Sequence, residues 1–192
     1  MKKLIASVIA LIVTTVVIFS AQTVAYFSDK IETNPVITIS GTNLAGELIE
    51  NTVINGAVVS GPVAVRVMPG HTVAKSVAVR NTGSIDMYLR MTVDVEFQLS
   101  EEYEDASVDP TLVELMINDD YWYDSDDGYY YYKEAISHGE ITEPLFTEVI
   151  FSGDMDNTYT NSTITFRIKA YAVQSNGNEL SVFEAQGWPD EQ

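Results

Sequence analysis

The sequence predicts an all-β protein, a jelly-roll-like antiparallel β-sandwich with one or two short helices. Three observations carry this. From Asp86 to Leu99 every odd position is apolar (Met87, Leu89, Met91, Val93, Val95, Phe97, Leu99), while the even positions are polar or amphipathic. A second alternating run sets Ile164, Phe166, Ile168, Ala170 and Ala172 on one face and Thr163, Thr165, Arg167, Lys169 and Tyr171 on the other. Period two held that long marks a strand with one face buried and one wet. Third, turn chemistry recurs at short spacing: Met68-Pro69-Gly70, Asn81-Thr82-Gly83, Asp126-Asp127-Gly128, Ser137-His138-Gly139 and Ser175-Asn176-Gly177. Many short strands separated by Gly and Asn turns read as a sandwich or jelly roll.

The elements follow in order. Lys2 and Lys3 precede an uncharged, mostly apolar run from Leu4 to Ala25 that ends Thr23-Val24-Ala25. A basic start, an apolar core and small residues at the last and third-from-last positions predict a signal peptide over residues 1–25, cut between Ala25 and Tyr26. The run is also long enough to span a bilayer, so a retained membrane helix is the alternative. Residues 26–40 read as an N-terminal strand, with Val36, Ile37, Thr38 and Ile39 as its β-rich part. The sandwich domain occupies 41–192. Within it, residues 41–62 are rich in Gly, Asn and Ala and read as an insertion or a loose hairpin. Further strands are predicted over Val63–Met68, Thr72–Arg80, Tyr121–Tyr123, Tyr129–Lys133 and Leu145–Phe151. Two pieces are predicted helical: Asp109–Ile117, where Asp109 can cap and Pro110 takes the first helical position, and Asn178–Gln186.

Composition narrows the function classes. The chain of 192 residues carries 28 Asp and Glu against 10 Lys and Arg, a formal charge of -18, and no cysteine. Nucleic acid is excluded as a partner, because phosphate binding needs clustered cations. The missing cysteines remove disulfides, thiol catalysis and thiolate metal sites together. Beyond Ala25 the balance is 8 basic against 28 acidic side chains, or -20. The chain is nonetheless 46% hydrophobic, so the acidity reads as a self-repelling surface over a buried core and not as disorder.

Few residues suit chemistry. Asp124, Asp126 and Asp127 beside Gly128 have the acid spacing of a calcium loop. They lack the Glu that would close it, Ala135 standing at the twelfth position from Asp124, and a solvated hairpin tip is the plainer reading. His71 and His138 both lie in turns and lack the four-residue helical spacing of zinc hydrolases. No Gly-x-Ser-x-Gly or phosphate-cradling loop occurs. The reading is therefore non-enzymatic: no catalytic residue and no cofactor beyond a possible structural calcium. Asn161-Ser162-Thr163 fits a glycosylation acceptor. Tyr121, Trp122, Tyr123 and Tyr129 to Tyr132 form the densest aromatic feature, either a contact patch for protein or glycan or cross-strand pairs within one sheet.

Taken in order, several of these segments resemble one family. The junction Val24-Ala25-Tyr26-Phe27-Ser28-Asp29 comes first. Met68-Pro69-Gly70-His71-Thr72 follows, leading through Val77-Ala78-Val79-Arg80-Asn81-Thr82-Gly83 to Tyr88-Leu89-Arg90. The last pieces are Trp122 to Tyr132, then Gly139-Glu140-Ile141-Thr142 with Leu145-Phe146. Together they resemble the TasA/camelysin family of exported bacterial proteins. The resemblance implies a jelly-roll subunit secreted to the extracellular matrix or cell surface, its signal removed by a SipW-type peptidase. Such a subunit builds biofilm matrix fibres with copies of itself by donating its N-terminal strand, with an accessory anchor or minor subunit as a possible partner. Residues 26–40 supply a candidate donor strand, and 15 extended residues reach about 50 Å. An ordinary first strand within its own sandwich is the alternative, since periodicity cannot say whose sheet a strand joins. Camelysin-type members are described as metal-dependent proteases, and the metal-ligand spacing for that activity is missing here. A membrane-anchored monomeric binding module is the other alternative.

Overall fold

A computed structural model of the chain describes residues 28–32 and 44–189. The fold is an all-β sandwich of two antiparallel sheets. In chain order its strands are β1 (Ser28–Glu32), β2 (Gly46–Ile54), β3 (Ala57–Ser60), β4 (Val65–Arg66), β5 (Thr72–Asn81), β6 (Met87–Gln98), β7 (Val113–Ile117), β8 (Trp122–Asp124), β9 (Tyr130–Tyr132), β10 (Phe146–Phe151) and β11 (Thr163–Gln174). The first sheet runs β1-β11-β6-β9-β8, with β4 also pairing β11, and the second runs β3-β2-β5-β10-β7. From β5 onward the chain crosses repeatedly between sheets, the jelly-roll-like feature of the connections.

The two long periodic runs form the centre of the first sheet. β6 and β11 pair along twelve residues, from Met87↔Gln174 to Gln98↔Thr163. Their apolar positions face inward: Leu89, Met91, Ile164, Phe166, Ile168, Ala170 and Ala172 are buried. From the second sheet Val77, Val79, Phe146, Val149 and Phe151 meet them across the core. At the other end of the first sheet Trp122 enters the same core, and its indole N–H donates to the Glu143 carbonyl at 2.9 Å, which satisfies its one buried donor.

Several expectations are corrected. The helix over Asp109–Ile117 is absent. Asp109 does cap, accepting from the Thr111 N–H at 3.0 Å, but the turn it starts is a single 3-10 turn, Pro110–Leu112. Val113–Ile117 then alternates and pairs with β10 as β7, so period two and a tertiary partner override the cap signal. Asn178–Gln186 is likewise not a helix. The Asn178 side chain ties this segment into a loop, accepting from the Glu179 and Gln186 N–H groups and donating to the Gln174 and Gln186 carbonyls, the competition with helix that short amide side chains offer. Residues 46–60 are no insertion: β2 pairs β5 over seven residues and belongs to the second sheet. Val63–Met68 shortens to the two residues of β4. The strand described in the N-terminal segment is Ser28–Glu32, while Ala25, Tyr26, Val36, Ile37, Thr38 and Ile39 lie outside the described residues.

Candidate functional site

In the first sheet the outer edge of β11 is closed only by short strands. β6 covers one side of this strand throughout. On the other side β4 pairs Thr163 and Ile164, and β1 pairs Lys169 to Val173 through Glu32↔Lys169 to Ser28↔Val173. No described strand pairs Thr165 to Ile168 on that side. The longest strand pair of the core is thus closed along its edge by one piece of two residues and one of five. A strand edge is where another extended chain can add by main-chain pairing.

The aromatic run of the sequence divides between two places, as strand alternation requires. Trp122 and Tyr132, paired in register, turn inward and meet edge to face with centroids 5.0 Å apart. Tyr131 turns outward, and with Tyr88, Val173, Val182 and Ala185 builds a second buried cluster on the outer face of the first sheet, joined by Tyr129 and Trp188. The loop of residues 178–189 covers this face. Trp122 and Tyr132 pair across strands and Tyr129 and Tyr131 pack in the outer cluster, while Tyr121 and Tyr123 remain 42% and 48% exposed, the latter 5.0 Å from the Phe183 ring.

At the centre of the outer cluster lies Arg90 of β6. Its guanidinium sits 3.7 Å from the Tyr129 ring centroid and 4.7 Å from that of Trp188, and Nη1 donates to the Tyr131 hydroxyl at 3.4 Å. That hydroxyl donates to Asp127 Oδ2 at 2.7 Å. Burial pushes the Tyr131 hydroxyl above its ordinary value. Partial burial of Asp127 acts to raise its carboxyl. Hydrogen bonds from Tyr131, the Tyr129 N–H and Ser125, with the charge of Arg90, outweigh it and hold the group below the usual aspartate range.

The calcium candidates do not converge. Asp127 is engaged by Tyr131 and Tyr129, Asp124 lies on β8, and among the described residues no group of three acid or histidine side chains is placed to hold a metal ion. The His138 Nδ1 contacts the Gly83 carbonyl. His71 borders a shallow cleft of about 370 Å³ beside Arg66, Met68 and Asn161, and Asn161 of the glycosylation triplet accepts from Arg66 Nη2 at 2.7 Å.

One feature escaped the sequence reading and another was only half read. The first is an ion pair inside the sandwich: Lys75 Nζ lies 2.9 Å from Glu50 Oε2, with side chains 1% and 3% exposed. It was illegible because 46–54 was not read as a strand, so Glu50 had no face. The other is the β2–β3 hairpin: of the two readings of 41–62 the hairpin holds, but it is tight rather than loose, closed by the two-residue turn that Asn55-Gly56 signals. No family model, curated protein or solved structure matches this chain.

Proposed function

We propose that the chain is a secreted structural subunit of an extracellular fibre, assembling when the N-terminal strand of one subunit pairs with the β11 edge of the next. One observation carries the reading: β1, five residues long, closes the β11 edge and is followed by eleven residues, 33–43, before the sandwich resumes at Leu44. Chain of that length extends to about 36 Å, so the strand need not fill the edge of its own subunit. Main-chain pairing along β11 requires no catalytic group, and a head-to-tail exchange that does not close on itself grows as a filament. The export signal predicted over residues 1–25 and the acidic composition, which keeps subunits apart until strands exchange, agree with this.

Negative-stain electron microscopy of residues 26–192 at high concentration tests the reading. Regular filaments one subunit wide are expected, and deletion of 26–40 leaves a soluble domain without filaments. Equivalent filaments from the truncated chain overturn strand exchange. The second reading, a membrane-anchored monomeric binding module, draws on exposed Tyr123 and Phe183. It is separated from the first by the intact mass of the exported chain, since a retained helix keeps residues 1–25.

A further inference from the structure

The second sheet has an edge of a different kind. β3 pairs only β2 among the described strands, from Asn51↔Ser60 to Ile54↔Ala57 around the turn Asn55-Gly56. Asn55 at φ 51° and Gly56 at φ 80° give the left-handed pair of a two-residue hairpin turn. The hairpin extends past its partner β5, whose pairing with β2 ends at Thr52↔Lys75. Its end is apolar and exposed: Val53, Ile54, Val58 and Val59 are open, Val58 by 67%. Natural sheets guard such edges with charges, Pro or a covering loop. Here the sequence from Asn51 to Val65 contains no charged residue, within a chain whose balance beyond Ala25 is -20.

We infer that β3 is a self-association site, at which a second copy of this chain pairs antiparallel through its own β3, Val58 opposite Val58. Charge identifies the occupant. Two copies at -20 repel over most of their surface, and interface centres are depleted of charge. The hairpin is where one copy can approach another without opposing two acidic faces. Its backbone fixes the register. Ile54 and Ala57 flank a two-residue turn and bond each other, so the next residue of β3, Val58, points its N–H and C=O away from β2 toward the open edge. A twofold axis through Val58 lets each copy donate one N–H and accept one at that residue, the isologous arrangement of a symmetric dimer. The contact is small beside the ~1,200–2,000 Å² of a stable interface, so it is weak between free subunits and gains strength where many copies are linked, as along a filament.

The absence of cysteine makes the test direct. Val58→Cys, Val59→Cys and Met68→Cys variants of the chain are oxidised at equal concentration, and covalent dimer is followed by non-reducing electrophoresis. Paired residues at a bonded antiparallel position stand ~5.5 Å apart between Cα atoms, within disulfide reach, whereas Val59 is offset from itself by two positions. Val58→Cys should dimerise about tenfold faster than either, the ratio given by ~1.4 kcal/mol of preference. Met68 is 42% exposed but lies two residues from Arg66, so it controls for exposure. Equal rates at the three positions, or faster dimers from Val59→Cys, overturn the proposal. The assay needs no filament, so it separates from strand exchange: dimers without filaments leave this site standing, and filaments without dimers remove it.

Discussion

Two regions of this molecule take a cation out of water, and they compensate it differently. Between the sheets, Lys75 is 1% exposed and meets a full opposite charge, with Glu50 Oε2 at 2.9 Å and Thr52 Oγ1 at 3.4 Å. On the outer face of the first sheet, Arg90 is half-buried. It is held by ring faces and one hydroxyl, through which it is linked to the Asp127 carboxylate one hydrogen bond further away. The difference follows from the two heads. An ammonium is a compact, strongly hydrated charge that a dry interior tolerates only with a partner ion, whereas a guanidinium is planar, weakly hydrated and stacks on rings. The interior thus holds a pair that fails if either member goes, and the outer face holds a graded set of contacts.

The sharpest way to break the comparison is to remove one member of the inner pair. Glu50→Gln leaves the Lys75 ammonium buried without a counter-charge, which costs roughly 3–5 kcal/mol. That is a large fraction of the ~5–15 kcal/mol by which domains are stable. Equilibrium urea unfolding followed by tryptophan fluorescence reads it. The double variant Glu50→Leu with Lys75→Met should return most of the loss, because an apolar pair of similar volume avoids the desolvation cost. A loss below ~1 kcal/mol for Glu50→Gln would mean that water reaches the pair and that the two cations are solvated alike.

What could be read in advance divides along the same line. β6 and β11 were legible because each residue's polarity agrees with its side of the strand over a full run. Alternation divides the rings of residues 121–132 between two faces, but that Trp122 meets Tyr132 follows only from the register. Glu50 and Lys75 break alternation on their inner faces, and a charged residue inside a strand pattern argues locally for a wet face. Only the register Thr52↔Lys75 reveals that the two side chains answer each other. The Asp109–Ile117 helix failed for the opposite reason: the cap signal at Asp109 and Pro110 was correct for one turn, and the pairing of Val113 and Leu115 with β10 decided the rest. Arg90 could be placed on the outer face by parity, but Trp188 reaches it from a loop whose path no local pattern encodes.

On the outer face a smaller effect is expected. Arg90→Ala removes cation–π contacts worth ~0.5–2 kcal/mol and the packing of the side-chain stem against the rings. Arg90→Lys keeps the charge but loses the planar stack, so it recovers only part. Acrylamide quenching in a Trp122→Phe background, where Trp188 is the remaining indole, should show Trp188 more accessible in Arg90→Ala, with Arg90→Lys between. A Trp188 signal unchanged in Arg90→Ala would show that the loop is held without Arg90, by Val182, Ala185 and the Asn178 hydrogen bonds.

The weakest and most local effect sharpens the comparison through pH. Asp127 has a folded value below its ordinary 3.8, because hydrogen bonds from Tyr131, Tyr129 and Ser125 and the charge of Arg90 outweigh its partial burial. A depressed carboxyl contributes stability that is fully present above its unfolded value and is lost as pH falls through the lower folded one. The contribution of Asp127 is therefore intact at neutral pH and disappears below about pH 4. Acid should then loosen the Tyr131–Asp127 contact and with it the packing of Trp188, while the main-chain pairing of β6 and β11 is retained. Asp127→Asn should give a Trp188 quenching profile already shifted at pH 7 and flatter between pH 3 and pH 5 than that of the parent. Because Asp127 is mostly solvated, screening by salt should shrink the difference between parent and variant. An acid transition of the same size in both proteins would assign the change to other carboxylates and leave Arg90 held by its rings without help from Asp127.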